Sequence, residues 1–483
     1  MIRAEGLSFR YSSGKGPGIR NINLHIRRGE CVLLCGPSGS GKTTLIRTFN
    51  GLVPNFFKGE IEGTVRVNGR DVCRAPSYKI AEDVGCVFQN PKTQFFNVDT
   101  DSEIVFGLEN MAVPQKQIRE RMQEVVTTLK LEDLTGRNIF ELSGGEKQRI
   151  AFASAYAMKP ELFLLDEPSS NLDVEAIERL GENLKTVKAE GKTLVITEHR
   201  IYYLMDIVDR VIYMKDGEIH REYNREEFIK LPGSQLAKMG LRTTDLANVR
   251  YPSEAKEQQE SEAVLTIRDL SAAYRKKPVF RGINLKASGG EIIAITGRNG
   301  EGKTTFVRTL CGLQKKAGGE IRFNERIVKP KERQRMSYMV MQDVNYQLFA
   351  ESVEAECTFG LENISQESVR EVLKELEIYD RKEMHPHLLS GGQKQRLAVA
   401  VSVLSDKQVI VFDEPTSGLD YESMRRVGAL LRRLAAKGKI ILVVTHDREL
   451  MADCCSRLIV LRDGSIEKDI PVTEDNKEVI DHI

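Results

Sequence analysis

Short apolar runs alternate with longer polar stretches along this chain. Cys31-Val32-Leu33-Leu34-Cys35, Gly85-Cys86-Val87-Phe88 and Thr193-Leu194-Val195-Ile196-Thr197 punctuate the N-terminal part. Ile292-Ile293-Ala294-Ile295, Tyr338-Met339-Val340-Met341 and Ile440-Ile441-Leu442-Val443-Val444 punctuate the C-terminal part. Runs this short, bounded by turn residues, predict buried strands. Between them lie polar, helix-rich stretches such as Ile118 to Leu129. Strands alternating with helices predict an α/β fold whose largely parallel sheet is covered on both faces.

The pattern is written twice. Gly36-Pro37-Ser38-Gly39-Ser40-Gly41-Lys42-Thr43 follows the strand at Cys31, and Gly297-Arg298-Asn299-Gly300-Glu301-Gly302-Lys303-Thr304 follows the strand at Ile292. Leu142-Ser143-Gly144-Gly145-Glu146-Lys147-Gln148-Arg149 returns as Leu389-Ser390-Gly391-Gly392-Gln393-Lys394-Gln395-Arg396. Leu164-Leu165-Asp166-Glu167-Pro168 returns as Val411-Phe412-Asp413-Glu414-Pro415, and Glu198-His199 as Thr445-His446. Each half opens with a β-like segment ending in an aromatic residue, Phe9-Arg10-Tyr11 and Ala272-Ala273-Tyr274. Half one carries extra residues, many of them around Gly51-Leu52-Val53-Pro54-Asn55-Phe56-Phe57-Lys58-Gly59. A repeat of this kind sets the domains: 1–225, a connection over 226–262 with short helical pieces and a flexible end, and 263–483.

Composition narrows the function. Lys plus Arg number 71 and Asp plus Glu 70, so the chain lacks the basic surplus that phosphate-backbone neutralisation requires, and no nucleic acid is expected. No apolar run approaches the ~20 residues that cross a bilayer. The N-terminus lacks the apolar stretch of a signal peptide. The eight cysteines include no Cys-x-x-Cys pair, and Cys31, Cys35, Cys86 and Cys311 sit in apolar settings that suit small core residues.

Strand, glycine loop and helix form the context of a phosphate-binding loop. Its main-chain N–H groups and the helix N-terminus favour an anion. Lys42 and Lys303 would reach the β- and γ-phosphates, Thr43 and Thr304 would ligate Mg²⁺, and Thr44 and Thr305 follow in the opening turn. A strand delivers Asp166 or Asp413 beside each loop, where a carboxylate can hold Mg²⁺. Glu167 or Glu414 comes next and is placed to orient or deprotonate an attacking water. Gln89 and Gln342 follow strand-like runs, where an amide can contact both Mg²⁺ and the water. His199 and His446 each end a strand, where an imidazole can hydrogen-bond a γ-phosphate. Tyr11 and Tyr274 could stack on adenine or equally fill a core. The runs Ser143-Gly144-Gly145 and Ser390-Gly391-Gly392 would make a further anion site at a helix N-terminus. Since each half already holds a nucleotide, the economical reading is that each run serves the nucleotide of the other half.

Taken together, both halves resemble ATP-binding cassette (ABC) nucleotide-binding domains over nearly the whole chain. The resemblance implies two tandem P-loop NTPase domains, each with a mainly parallel sheet, an antiparallel β subdomain and a helical subdomain. It implies ATP and Mg²⁺ as cofactors, with two ATP held head to tail within one chain. One site would use Tyr11, Lys42, Thr43, Gln89, Asp166, Glu167 and His199, completed by Ser390 and Gly392. The other would use Tyr274, Lys303, Thr304, Gln342, Asp413, Glu414 and His446, completed by Ser143 and Gly145. Leu172-Asp173 and Leu419-Asp420 match the loop that crosses between halves. The departures are Glu301 in the second phosphate loop and Asn171 where the other half has Gly418.

A narrower resemblance follows each glutamine. Gln89-Asn90-Pro91-Lys92-Thr93-Gln94-Phe95-Phe96 and Gln342-Asp343-Val344-Asn345-Tyr346-Gln347-Leu348-Phe349 share Gln and Phe at matching steps. Both run on to Phe-Gly-Leu-Glu-Asn, at Phe106 to Asn110 and Phe359 to Asn363. This is similar to the ATPases of energy-coupling factor (ECF) importers of vitamins and metal ions. It implies a peripheral protein on the cytoplasmic face of the membrane, paired with a transmembrane coupling subunit and a substrate-binding membrane subunit. The alternative is a soluble twin-cassette ATPase acting on ribosomes or nucleic acid. Phe95-Phe96 and Tyr346, Leu348-Phe349 are expected to floor a docking surface rimmed by Asp101, Glu103, Glu354 and Glu356, suited to an arginine-bearing helix.

Overall fold

Complete burial on both faces is what makes the short apolar runs strands of a parallel sheet. The computed structural model describes residues 1–12, 18–170, 172–254, 261–274, 277–314, 317–361 and 364–482. They form two compact units, Met1–Thr244 and Asp245–Ile483. In the first, ten strands are β1 (Ile2–Tyr11), β2 (Ile19–Ile26), β3 (Cys31–Cys35), β4 (Gly59–Val67), β5 (Arg70–Asp71), β6 (Val84–Val87), β7 (Leu162–Asp166), β8 (Thr193–Thr197), β9 (Arg210–Lys215) and β10 (Glu218–Asn224). One sheet has the order β10-β9-β3-β8-β7-β6 and a second, antiparallel one β2-β1-β4-β5. In the large sheet β3, β6, β7, β8 and β9 run parallel and β10 returns antiparallel.

Residues of β3, β7 and β8 are buried without exception, as expected of strands with side chains packed above and below. Alternate residues feed two cores. Val32 and Leu34 pack with Phe9, Leu45 and Phe49 toward the antiparallel sheet, whereas Cys31, Leu33 and Cys35 pack with Phe152 and Leu184 toward the helices. β1 instead alternates buried and exposed residues, with a bulge near Gly6, because only one of its faces meets a core.

The second unit repeats this order with β11 (Val264–Tyr274), β12 (Lys277–Ser288), β13 (Ile292–Thr296), β14 (Ala317–Phe323), β15 (Arg326–Ile327), β16 (Ser337–Val340), β17 (Val409–Asp413), β18 (Ile440–Val444), β19 (Arg457–Arg462) and β20 (Ser465–Pro471). Its sheets are β16-β17-β18-β13-β19-β20 and β12-β11-β14-β15. The eight cysteines are free thiols, six of them buried.

Much of the expected connection is built into the units. Helices Arg225–Ile229 and Gly233–Lys238 lie in the first, where Phe228, Leu236 and Leu241 are buried in its core. Val249 and Tyr251 are buried in the second, and the Tyr251 N–H donates to Glu474 at 2.9 Å. The apolar residues scattered through this polar stretch are the physical reason. The expected flexible end, Pro252 to Glu262, lies in its middle part, 255–260, outside the described residues, as do Asn171, Glu362 and Asn363.

The segment after each glutamine is held from inside. Gln94 accepts the Phe88 N–H at 3.3 Å, and Gln347 accepts the Met341 N–H at 2.6 Å, so the shared glutamines close the turn. Glu103, on the helix Thr100–Asn110, is 2% exposed and accepts the N–H groups of Phe96 and Asn97 at 3.0 and 2.8 Å. Glu356 is 4% exposed and accepts those of Phe349 and Ala350, both at 2.7 Å. These two acids therefore belong to the fold and not to an exposed rim. Leu348 is buried and Phe95 half-buried, whereas Phe96, Tyr346 and Phe349 are 76%, 68% and 69% exposed. Glu103→Ala and Glu356→Ala each strand two main-chain donors, at about 1–3 kcal/mol per group. Hydrogen exchange should quicken at 96–97 or 349–350 respectively; unchanged protection would remove the carboxylates from this role.

Candidate functional site

Parallel strands end along one edge of a sheet, and that edge is where α/β sheets bind ligands. The ends of β6, β7, β8 and β3, neighbours in the order β3-β8-β7-β6, carry Gln89, Asp166 with Glu167, His199, and the glycine loop. The second unit brings together the ends of β16, β17, β18 and β13, with Gln342, Asp413 and Glu414, His446 and the second loop.

The loops have the backbone of an anion cradle. Gly36 has φ 147°, and a Cβ there would stand 2.1 Å from the Met214 carbonyl oxygen; Gly297 has φ 145°, with the Leu461 carbonyl oxygen 2.3 Å from such a Cβ. Ser38 and Gly39, like Arg298, Asn299 and Gly300, are exposed at the loop tips, while Ser40 and Gly41 are buried beneath. The helices Lys42–Phe49 and Lys303–Leu310 begin at the lysines, after Gly41 and Gly302. Lys42 donates to the carbonyls of Gly36 and Pro37 at 2.8 and 2.9 Å, and Lys303 to those of Gly297 and Arg298 at 2.5 and 2.9 Å. Each ammonium is thus folded over its own loop, where phosphate oxygens would lie. Glu301 is within electrostatic reach of Arg462.

Thr43 donates to Asp166 Oδ1 at 3.0 Å and Thr304 to Asp413 Oδ2 at 2.9 Å. A hydroxyl beside a carboxylate is a hard-oxygen pair that suits Mg²⁺. Burial raises both aspartates above the usual carboxylate range, with the neighbouring Glu167 adding to the rise at Asp166. A bound divalent cation would reverse that penalty.

Glu167 and Glu414 take left-handed backbone conformations, with φ 48° and 52°. Such geometry in a side chain with a Cβ costs energy and persists where surrounding structure enforces it. The enforcing contacts are main-chain bonds to the adjacent strand, from Glu167 N–H to Thr197 O at 3.0 Å and from Glu414 N–H to Val444 O at 2.9 Å. Gln89 Nε2 donates to Glu167 Oε2 at 2.7 Å, and His199 Nε2 lies 3.3 Å from Glu167 Oε1. His446 Nε2 is 3.9 Å from Glu414 Oε1, and its Nδ1 is 3.2 Å from the Thr296 hydroxyl. Gln342 stands exposed at the matching strand end.

Tyr11 is half-buried with its hydroxyl 3.1 Å from that of Thr44 and its ring edge-on to Phe9 and Phe57. Tyr274 ends β11 at the matching position, and its side chain lies outside the described residues. Thr305 is half-buried in the opening turn of its helix.

Ser143 and Ser390 are helix N-caps. Each accepts from the third helical N–H while Glu146 or Gln393 reaches back to the serine N–H, at 2.7 and 3.0 Å. This capping box explains why Ser-Gly-Gly is followed by Glu or Gln. Ser143, Gly144, Ser390 and Gly391 are exposed at the helix N-termini, with Gly145 buried and Gly392 half-buried. Asp173 and Asp420 cap the helices Val174–Ala189 and Tyr421–Ala436.

Residues missed from the sequence are polar neighbours of the histidine. The Thr197 hydroxyl donates to Asp166 at 2.7 Å and accepts the Glu167 N–H at 3.1 Å. Glu198 is buried beside His199. Their signal lies in comparing the halves, since Thr197-Glu198-His199 corresponds in sequence to Val444-Thr445-His446. No helix among the described residues is long and apolar enough to cross a membrane.

The ABC transporter family model matches residues 19–170 and 280–417. An ABC transporter ATP-binding protein of Treponema denticola is 49% identical over 474 residues, 97% of this chain and 97% of that one. One from Methanosarcina acetivorans is 33% identical over 531 residues, covering 98% and 86%. Among solved structures, a chain from a ribosome-bound archaeal Pelota and ABCE1 model has a TM-score of 0.70 at 23% identity, covering 96% of this chain and 78% of that one, a likeness of fold. The chain belongs to the ABC transporter family and is an ATPase with two of its ATP-binding domains in tandem.

Proposed function

We propose that the chain is the ATP-hydrolysing subunit of an ECF-type importer, held on the cytoplasmic face of the membrane by a transmembrane coupling subunit that works with a substrate-binding membrane subunit. The observation that carries this reading is the pair of glutamine-flanking segments. Each follows a strand end of the site and presents exposed aromatics, Phe96 in one unit and Tyr346 with Phe349 in the other, on a backbone clamped from within. Exposed aromatics on a rigid turn suit a partner helix. With the charges nearly balanced, the chain lacks the basic surplus that would suit ribosomal RNA.

In each unit the lysine and the loop N–H groups bind phosphate oxygens. The threonine and aspartate hold Mg²⁺, which when bound neutralises phosphate charge. Glu167 takes a proton from the attacking water, Gln89 orients that water, and His199 donates toward the γ-phosphate. Glu414, Gln342 and His446 do the same in the second unit.

Both sites turn over. Glu167→Gln and Glu414→Gln should each lower steady-state ATP hydrolysis while ATP binding persists, and the double variant should lose about a hundredfold or more. A silent single variant beside an inactivating one would refute equal competence. The docking reading is tested separately. Phe96→Asp combined with Phe349→Asp should abolish copurification of membrane subunits in mild detergent while ATP binding by the isolated chain is kept. Retained copurification would remove these aromatics from the docking surface, whereas salt-sensitive RNA binding by a purified chain that brings down no membrane subunit would replace the importer by the soluble alternative.

A further inference from the structure

Glu198 stands between the end of β8 and His199 and is 2% exposed. A buried carboxylate requires donors, and this one receives four. Oε1 accepts the Ser169 N–H at 3.2 Å, the Tyr203 hydroxyl at 3.1 Å and the Ser169 hydroxyl. Oε2 accepts the His199 N–H at 3.1 Å. Burial, reinforced by the charge of Glu167, pushes the carboxyl up to about 7 against the pull of these donors.

The second unit makes the corresponding tie with other residues. Thr445 stands in place of Glu198, Asp447 in place of Arg200, Leu450 in place of Tyr203, and Thr416 in place of Ser169. There the Thr416 hydroxyl donates to Asp447 Oδ2 at 2.7 Å, and the Asp447 N–H donates to the Thr445 hydroxyl at 3.0 Å. Asp447 also caps the helix Arg448–Cys454 through the Leu450 N–H at 3.2 Å. In the first unit Arg200 cannot cap, and the chain makes only the 3-10 turn Tyr202–Leu204. A hydroxyl after Asp-Glu-Pro thus bonds a carboxylate in both units, from the residue before the histidine in one and after it in the other. The phenol of Tyr203 occurs in the unit whose carboxylate comes first. The differences are coordinated, as expected if one function is met in two ways.

We propose that Glu198 is a positioning residue of the first ATPase site. It fixes the His199 main chain against the segment that begins at Ser169, and so keeps the imidazole within 3.3 Å of Glu167. Arg200 reaches the same segment through the Leu172 carbonyl at 3.4 Å. The inference rests on the roles given above to Glu167 and His199, and Glu167→Gln tests those roles independently.

Glu198→Gln is the informative change. Each carboxylate oxygen accepts a main-chain N–H, so an amide must turn its NH₂ toward one of them. In the full chain carrying Glu414→Gln, so that turnover reports the first site, this variant should lower kcat about threefold or more with KM for ATP unchanged. It should add no loss to Glu167→Gln, because both act through the same group. Grafting the second unit's set, Glu198→Thr with Arg200→Asp and Tyr203→Leu, should restore kcat to within about twofold. Tyr203→Phe, which removes one donor, should give a smaller loss in the same direction, and it decides the matter if melting shows the graft to be unfolded. An unchanged kcat in Glu198→Gln, a loss additive with Glu167→Gln, or a folded graft that stays slow would each overturn the proposal. An inert Glu167→Gln would instead overturn the underlying assignment.

Discussion

The register of β7 on β8 is the constraint on which the rest of the site depends. Asp166 pairs with Thr197, and the bond from the Glu167 N–H to the Thr197 carbonyl continues that ladder one residue past the strand. In the second unit Asp413 pairs with Val444, with the Glu414 N–H bonded to it in turn. Side chains alternate along a strand, so a slip of one residue would send the aspartate to the opposite face. Glu167 and Glu414 are aimed by the same ladder, because their left-handed backbone persists only while that bond holds. Burial of both faces of the sheet fixes the register, and so the apolar runs determine chemistry that none of their own side chains performs.

The repeat, the glycine loops and the strand ends were legible in the sequence because each follows from local rules. A run of four or five apolar residues bounded by turns has little choice but a buried strand, and a glycine whose Cβ would meet a carbonyl has no substitute. The acids Glu103 and Glu356 were misread as a rim because charge predicts exposure, whereas a carboxylate that accepts two main-chain N–H groups is stable inside. The stretch from 226 to 251 looked like a connection because its apolar residues are sparse. Phe228, Leu236, Val249 and Tyr251 nevertheless find cores, which depends on surfaces far away in the sequence.

Ser143 and Ser390 cap their helices without being withdrawn from the surface. The capping box satisfies the helix locally and leaves the hydroxyl and the first glycine exposed at a helix N-terminus. Sequence reading assigned that serine to an anion, and the structure adds that the serine also starts the helix. Gln94 and Gln347 are similar, since each accepts a main-chain N–H and so closes the turn that carries the exposed aromatics. Motif and scaffold therefore overlap in the same short segments, which is why the landmarks stay in the same order in both halves.

Having both domains on one chain also changes what variation can do. Where a single gene product pairs with its own copy, every substitution appears at two places at once and must suit both. Here Glu198, Arg200 and Tyr203 could depart together from Thr445, Asp447 and Leu450, because each domain is written separately. A change harmful to one site is sheltered by the unaltered other while its compensating partners accumulate. Tandem fusion thereby converts a symmetric machine into one whose halves are free to specialise.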